Sequence, residues 1–373
     1  MRKRKMKNLG TAGYKLLTPG PLTTTETVKE VMLFDHCTWD DDYKEITQKI
    51  RRDLLKLAQV EETEYTTVLM QGSGSFGVES VLGSVVPKDG CVLLLSNGAY
   101  GERAAKMCSY YEIPCIHVKQ DYNKTPDANE AEELLKTHPE ITHIMMIHSE
   151  TTSGILNDIE SIGKLAEAYG KVFIVDAMSS FAGVEIPVKD WYIDFLISSA
   201  NKCIQGVTGF SFIIANRVLL MESKGRARSL CLDLYDQWAG MEKDGKWRYT
   251  SPTHVVLAFE QAMKELEQEG GIKARHARYQ KNMDTLVENF ENLGFRLYVD
   301  KAWQGPIIAT FLYPEGKHFD FQEMYAYIKE RGYATYPGKL TDADTFRIGV
   351  IGEIYEEDVL RLTEIMKSYM EQA

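Results

Sequence analysis

The sequence lacks the marks of several large protein classes. Its six cysteines, Cys37, Cys91, Cys108, Cys115, Cys203 and Cys231, form no CxxC pair, and none lies near a histidine at zinc-ligand spacing. Scattered cysteines of this kind predict reduced thiols, no structural metal and a cytoplasmic chain. No apolar run approaches the roughly 20 residues of a membrane span; the longest, such as 172–175, have strand length. Positive charge is in deficit, with 43 Lys and Arg against 54 Asp and Glu and a net charge of -11. That balance argues against a nucleic-acid partner. The basic N-terminus, MRKRKMKNLGTAGYK, lacks the apolar stretch of a signal peptide and reads as a frayed tail. No GKS/T phosphate loop is present.

What is there is an ordinary globular mixture, 44% hydrophobic and 26% charged over 373 residues. A chain of this length buries enough surface to fold without disulfide or metal staples. From residue 65 two periods alternate. Apolar strands are expected over 65–70, 92–95, 113–118, 144–147 and 172–175, with helices over 76–86, 100–111, 128–137 and 158–169. Further strands follow over 195–198 and 210–215. Continuous apolar strands between helices predict an α/β fold, a mostly parallel sheet covered on both faces. After residue 250 the texture becomes α+β, with long helices over 252–269 and 272–293. Strands are expected there over 295–299, 307–312, 334–336 and 346–350, with helices over 321–331 and 356–370.

Ligands of such sheets bind at the carboxyl ends of the strands, and the chemistry-bearing residues gather there. Gln71-Gly-Ser-Gly-Ser75 follows a strand and opens a helix, which makes it a candidate phosphate cradle through Ser73, Gly74 and Ser75. A plain turn with a serine cap competes with that reading. Asp176 ends the apolar strand Val172–Val175 and, if buried, needs a partner. Lys202 follows another strand; a lysine amine attacks carbonyls only when desolvated or set beside another cation. His148-Ser-Glu-Thr-Thr-Ser-Gly154 supplies hydroxyls after a third strand, and Asn97-Gly-Ala-Tyr100 an aromatic ring after a fourth. His148 itself also fits a satisfied buried histidine. A cradle, a carboxylate, a ring, hydroxyls and a lysine at one sheet edge match the needs of pyridoxal phosphate.

The order of these elements resembles the class V, fold-type I pyridoxal-phosphate aminotransferases. The resemblance runs from Leu16 to the C-terminus. It rests on Leu17-Thr-Pro-Gly-Pro21, Ser149-Glu-Thr-Thr-Ser-Gly154, Asp176-Ala-Met-Ser-Ser180, Tyr249-Thr-Ser-Pro-Thr-His254 and, most discriminating, Ser199-Ala-Asn-Lys-Cys-Ile-Gln-Gly206. It implies a large cofactor domain over 22–265 and a small α+β domain made of 1–21 and 266–373. It implies Lys202 as the Schiff-base lysine and proton carrier, and Asp176 as the partner of the pyridine nitrogen. Ser73, Gly74 and Ser75 then hold the phosphate, and Tyr100 and Met178 take the two ring faces. Thr151 or Thr152 lies near the ring hydroxyl and Asn201 beside the lysine. Thr250 reaches the phosphate of a neighbouring subunit in a homodimer. Arg347, a fixed fork on a strand, becomes the substrate-anion anchor. Within the family the motifs are most similar to members that take the amine of 2-aminoethylphosphonate and give it to pyruvate. The alternatives are an alanine– or serine–glyoxylate or phosphoserine transaminase. A cysteine desulfurase would need a mobile cysteine near the C-terminal region, whereas the last one is Cys231. A non-catalytic relative would have lost Lys202 or Arg347.

Overall fold

The structure, a computed structural model, describes residues 13–315, 319–338, 340 and 343–372. The basic tail over residues 1–12 lies outside them. The principal sheet has seven strands: β1 (Tyr65–Gln71), β2 (Cys91–Ser96), β3 (Cys115–Lys119), β4 (Ile141–Ile147), β5 (Val172–Asp176), β6 (Phe195–Ser199) and β7 (Phe210–Asn216). Their spatial order is β1-β7-β6-β5-β4-β2-β3. Neighbours from β6 through to β3 are parallel, while β7 runs antiparallel to both β1 and β6.

Side chains along a strand alternate between the two faces of the sheet, and here both faces are buried. Leu93 and Leu95 join an apolar cluster with Phe173, Val175 and Phe212. Val92 and Leu94 point the other way, into a cluster with Ile174 and Ile213. Helices α1 (Asp41–Leu57), α2 (Gly74–Val85), α3 (Ala99–Tyr110), α4 (Ala128–Thr137) and α5 (Ile159–Ala168) supply the cover. Leu54 of α1, Leu135 of α4 and Ile162 of α5 fill the first cluster, and Val81 of α2 and Ala104 of α3 the second. Apart from the half-buried edge strand β3, the strands have no wet face and no polar alternation, so they read as apolar runs.

Periodicity carries no strand direction, and β7 is where that matters. Only residues 200–209 link it to β6. A parallel return needs a crossover of a dozen or more residues, usually a helix. The chain therefore reverses, and the reversal holds the loop of Lys202 at the carboxyl edge of the sheet. The turns after β1, β2, β4 and β5 end at that same edge.

Beyond residue 250 come α6 (Thr253–Glu269) and α7 (Gly271–Asn292), then an antiparallel four-stranded sheet. Its spatial order is β8 (Arg296–Leu297), β9 (Ile308–Leu312), β11 (Thr345–Gly349), β10 (Tyr336–Pro337). Helices α8 (Phe321–Glu330) and α9 (Glu356–Met370) cover it. Its core is aromatic, with the Phe290 and Phe311 rings stacked at 4.9 Å and Phe295 and Phe346 against them. Leu17 packs into this core, whereas Leu22 packs into the core of the large sheet. The single strand expected over 334–336 is in fact two. Tyr333–Ala334 pairs in parallel with Lys15–Leu16, and Tyr336–Pro337 pairs with β11. Thr335 makes the switch, its hydroxyl bonding to the carbonyls of both Leu17 and Arg347. Among the described residues, no helix is long and apolar enough to cross a membrane.

Candidate active site

At the carboxyl edge of the seven-stranded sheet lies a cleft of about 220 Å³. Four strand-end turns contribute to it. Ser73, Gly74 and Ser75 come from the β1–α2 turn, Tyr100 from the start of α3, Asp176 and Met178 from the end of β5, and Asn201 and Lys202 from the β6–β7 loop. The structure therefore gathers eight of the twelve expected residues around one cavity.

The α2 end meets a condition that the serine-cap reading would not. Ser73 takes the N-cap position with extended backbone, yet its side chain caps none of the helix N–H groups. The first N–H groups of a helix lack intrahelical partners and carry the positive end of its dipole. An uncapped end on a cleft is thus ready to receive an anion. Arg103, one turn after Tyr100, also lines the cleft. Its Nη1 donates to the Ser75 hydroxyl at 3.0 Å, and its guanidinium sits 5.1 Å from the Tyr100 ring centroid. It adds positive charge beside the helix end. In the sequence it is one arginine on an amphipathic helix, and nothing there separates it from a solvated one.

Asp176 is 5% exposed. Its Oδ1 accepts the Met178 N–H at 2.9 Å. Burial pushes its pKa from 3.8 up to about 6, against that hydrogen bond; the charge of Glu150 adds to the rise, and Lys202 and Arg103 oppose it. A cation placed against this carboxylate would restore its charge. Lys202 is half-buried, and its Nζ donates to the Pro19 carbonyl at 3.0 Å. Pro19 belongs to the Leu17–Pro21 motif, and the next residue explains the glycine there. A Cβ on Gly20 would lie 2.7 Å from Lys202 Nζ, and its φ of +126° is open to glycine.

Four expected residues stand outside the cleft lining. Thr152 holds its framework: its hydroxyl accepts from the Ala99 N–H at 3.1 Å, beside Tyr100, and its own N–H donates to Glu150 Oε1 at 2.9 Å. The Thr151 carbonyl accepts from Arg347 Nη1 at 2.8 Å, which ties β11 to the turn after β4. Arg347 is 2% exposed, and its Nε donates to the Pro337 carbonyl at 3.1 Å. Burial lowers its pKa from the ordinary guanidinium value, with Tyr100, Tyr336 and Glu150 opposing the fall. Among the described residues no carboxylate pairs with it within salt-bridge distance. Thr250 is exposed, and its carbonyl accepts from the Gln71 side chain. His148 lines a different cavity, with Trp191. Burial drives its pKa down to about 3, so the ring is neutral, and its Nδ1 has no hydrogen-bond partner. It is buried, as expected, but not satisfied.

The fold is that of an aminotransferase. The class-V aminotransferase family profile matches residues 36–345, and the chain belongs to that family. Among its relatives, the 2-aminoethylphosphonate–pyruvate transaminase of Lysinibacillus sphaericus is 55% identical over 359 residues, covering 96% of this chain and 98% of that one. The enzyme of the same name from Bacillus cytotoxicus is 56% identical over 352 residues, covering 94% and 96%. Solved structures share the fold at lower identity. The ureidoglycine–glyoxylate aminotransferase of Bacillus subtilis superposes with a TM-score of 0.88 at 21% identity, over 98% of this chain and 95% of that one. The alanine–glyoxylate aminotransferase of a Nostoc species does so with a TM-score of 0.88 at 23% identity, over 98% and 97%.

Proposed function

We propose that the protein transfers the amino group of 2-aminoethylphosphonate to pyruvate, giving phosphonoacetaldehyde and L-alanine, with pyridoxal 5'-phosphate as cofactor in a ping-pong cycle. The identity of 55% over 96% of the chain with a transaminase of that name carries the substrate assignment. The residues of the cleft fit the cofactor. The uncapped end of α2 with Ser73, Gly74, Ser75 and Arg103 suits a phosphate, and the buried Asp176 suits a protonated ring nitrogen.

When bound, pyridoxal phosphate supplies an electron sink for the amine-bearing carbon. The chain's own residues do the rest. Asp176 holds its negative charge against the ring nitrogen and so keeps a proton there. Tyr100 and Met178 flank the ring, Thr151 and Thr152 shape the pocket near its hydroxyl, and Asn201 lies beside the lysine. Lys202 Nζ would anchor the cofactor and, once freed by the donor, would be the group that carries the proton leaving the donor carbon. Arg347 binds the phosphonate of the donor and, after the aldehyde leaves, the carboxylate of pyruvate. One fork serving both anions in turn is consistent with a ping-pong order, since only one substrate occupies the site at a time.

Arg347→Lys keeps the charge but loses the two-pronged donor set. Its kcat/KM should fall by roughly a hundredfold for both substrates, as expected for a charge-assisted pair worth about 3 kcal/mol. Steady-state alanine formation checks this, and a loss confined to one substrate would assign the other anion to a different group.

The domain boundaries at 22 and 265 and the homodimer belong to the same reading. Leu33, Phe34 and Trp39 are 70%, 65% and 68% exposed, more apolar surface than an isolated chain usually leaves in one segment. His254 Nε2 reaches Asp35 Oδ1 at 3.2 Å, which sets this patch beside Tyr249 and Thr250. In this reading a second copy covers the patch, and Thr250 is the residue contributed to the neighbouring cleft. Six free cysteines suit a cytoplasmic chain. The direct test is spectral. The purified protein should carry the absorbance band of bound pyridoxal phosphate and lose it on adding aminoethylphosphonate, then regain it with pyruvate. A band that persists, with no alanine formed, would sink the substrate assignment.

A further inference from the structure

The motif around Lys202 extends to Gln205, and its function beyond the lysine lies in how the loop is fastened. Arg275, Arg278, Tyr279 and Asn282 follow i, i+3, i+4, i+7 spacing on α7 and share one face. That face grips two things at once. On one side, Arg275 Nη1 donates to the Cys203 carbonyl at 2.6 Å, and Gln205 Nε2 donates to the Tyr279 hydroxyl at 2.7 Å. On the other, the Tyr279 hydroxyl accepts from the Gly352 N–H at 3.3 Å, and Gln205 Nε2 reaches the Gly352 carbonyl at 3.2 Å. Arg278 and Asn282 hold the carbonyl of Ile354 at 2.9 and 3.0 Å. Gly352 lies just past β11, the strand of Arg347.

Gln205 and Tyr279 thus join the loop of the amine to the segment of the anion anchor, both almost wholly buried at 3% and 0% exposure. Gln205 also holds a left-handed backbone, φ 70°, that a residue with a long side chain rarely adopts. Its two amide bonds fix that conformation. Folding has a separate anchor on the same helix, because Glu269 pairs with Arg275 at 2.6 Å and with Arg278 at 2.7 Å.

We propose that Gln205 and Tyr279 are positioning residues that set the separation between the Lys202 amine and the Arg347 guanidinium, and so select the length of the anionic amine donor. The inference rests on the transaminase reading above. A phosphonate donor must present its amine to one group and its anion to the other, so one methylene more or less weakens its fit, whereas the shorter pyruvate meets the same fork with other groups of the pocket adjusting.

Two variants test this. Tyr279→Phe removes only the hydroxyl. Gln205→Asn suits the left-handed backbone, which asparagine tolerates, but is one methylene too short to keep the tie. The holoenzymes are assayed with aminomethyl-, 2-aminoethyl- and 3-aminopropylphosphonate, with pyruvate as acceptor. In both variants KM for 2-aminoethylphosphonate should rise about tenfold, with kcat changed by less than about threefold, and the preference for the two-carbon donor should shrink about tenfold. Hydrogen exchange at the Gly352 amide, with and without cofactor, should quicken in both. Unchanged KM and length preference would overturn the inference, as would unchanged Gly352 exchange. If the parent protein ignores aminoethylphosphonate, the substrate reading fails by itself, and the tie stands or falls on the Gly352 amide.

Discussion

Lys202→Ala should lose transaminase turnover by roughly four orders of magnitude or more, because a nucleophile that acts with its partners as a unit leaves no alternative path when removed. The fold should survive the change. Lys202 is half-buried, its Nζ bonds to the Pro19 carbonyl, and it belongs to neither apolar cluster of the large sheet. The residues that fit the cofactor's phosphate and ring nitrogen, Ser73 to Ser75 and Asp176, remain. The variant should therefore bind pyridoxal phosphate without the shifted absorbance of a lysine adduct, unfold at nearly the parent temperature and form no alanine. Full activity in the variant would remove Lys202 from the reaction.

Asp176→Asn should move activity and stability in opposite directions. Losing a preorganised charge beside the ring nitrogen is expected to slow turnover by roughly a hundred- to a thousandfold, the usual size for such a group. The cofactor-free protein should become more stable. A carboxyl whose folded pKa lies above its unfolded value holds its proton more tightly in the fold. Its ionisation therefore destabilises the fold progressively as pH rises from 3.8 to about 6, and fully beyond. At one pH unit per 1.36 kcal/mol the full effect is about 3 kcal/mol, an upper limit on what the uncharged asparagine recovers. Melting curves of the cofactor-free proteins check this: Asp176→Asn should melt higher at pH 8, and the gain should vanish toward pH 4. A gain independent of pH would mean that ionisation of Asp176 is not its source.

The sheet was legible in the sequence because both of its faces are dry. Leu93 and Val92 point to opposite sides and are equally buried, so β2 stands out as a plain apolar run. Asp176 and Lys202 were legible for a related reason, since Asp176 ends such a run and Lys202 follows another by a few residues. The direction of β7 was not, because it depends on the short link back from β6. Nor was the change of partner at Thr335, which turns on one hydroxyl reaching two carbonyls. Arg103 was hidden by its helix, where every arginine looks solvated. The polar face of α7 was hidden more thoroughly. Arginines and a tyrosine at helical spacing read as a surface stripe, yet Arg275 and Tyr279 are buried and bonded to loops distant in sequence. The acidic balance of the whole chain also says little about its ligands. The cleft sets Arg103, Lys202 and a helix end around its mouth within a protein of net charge -11.

Donor identity is the claim on which the functional reading most depends. The direct measurement is a panel of amine donors with pyruvate, read as alanine formed: 2-aminoethylphosphonate, serine and phosphoserine, with alanine plus glyoxylate as the reverse control. Rapid alanine formation from 2-aminoethylphosphonate is expected, with stoichiometric phosphonoacetaldehyde and little turnover of the others. Rapid turnover of phosphoserine or of the glyoxylate pair, with 2-aminoethylphosphonate inert, would contradict it.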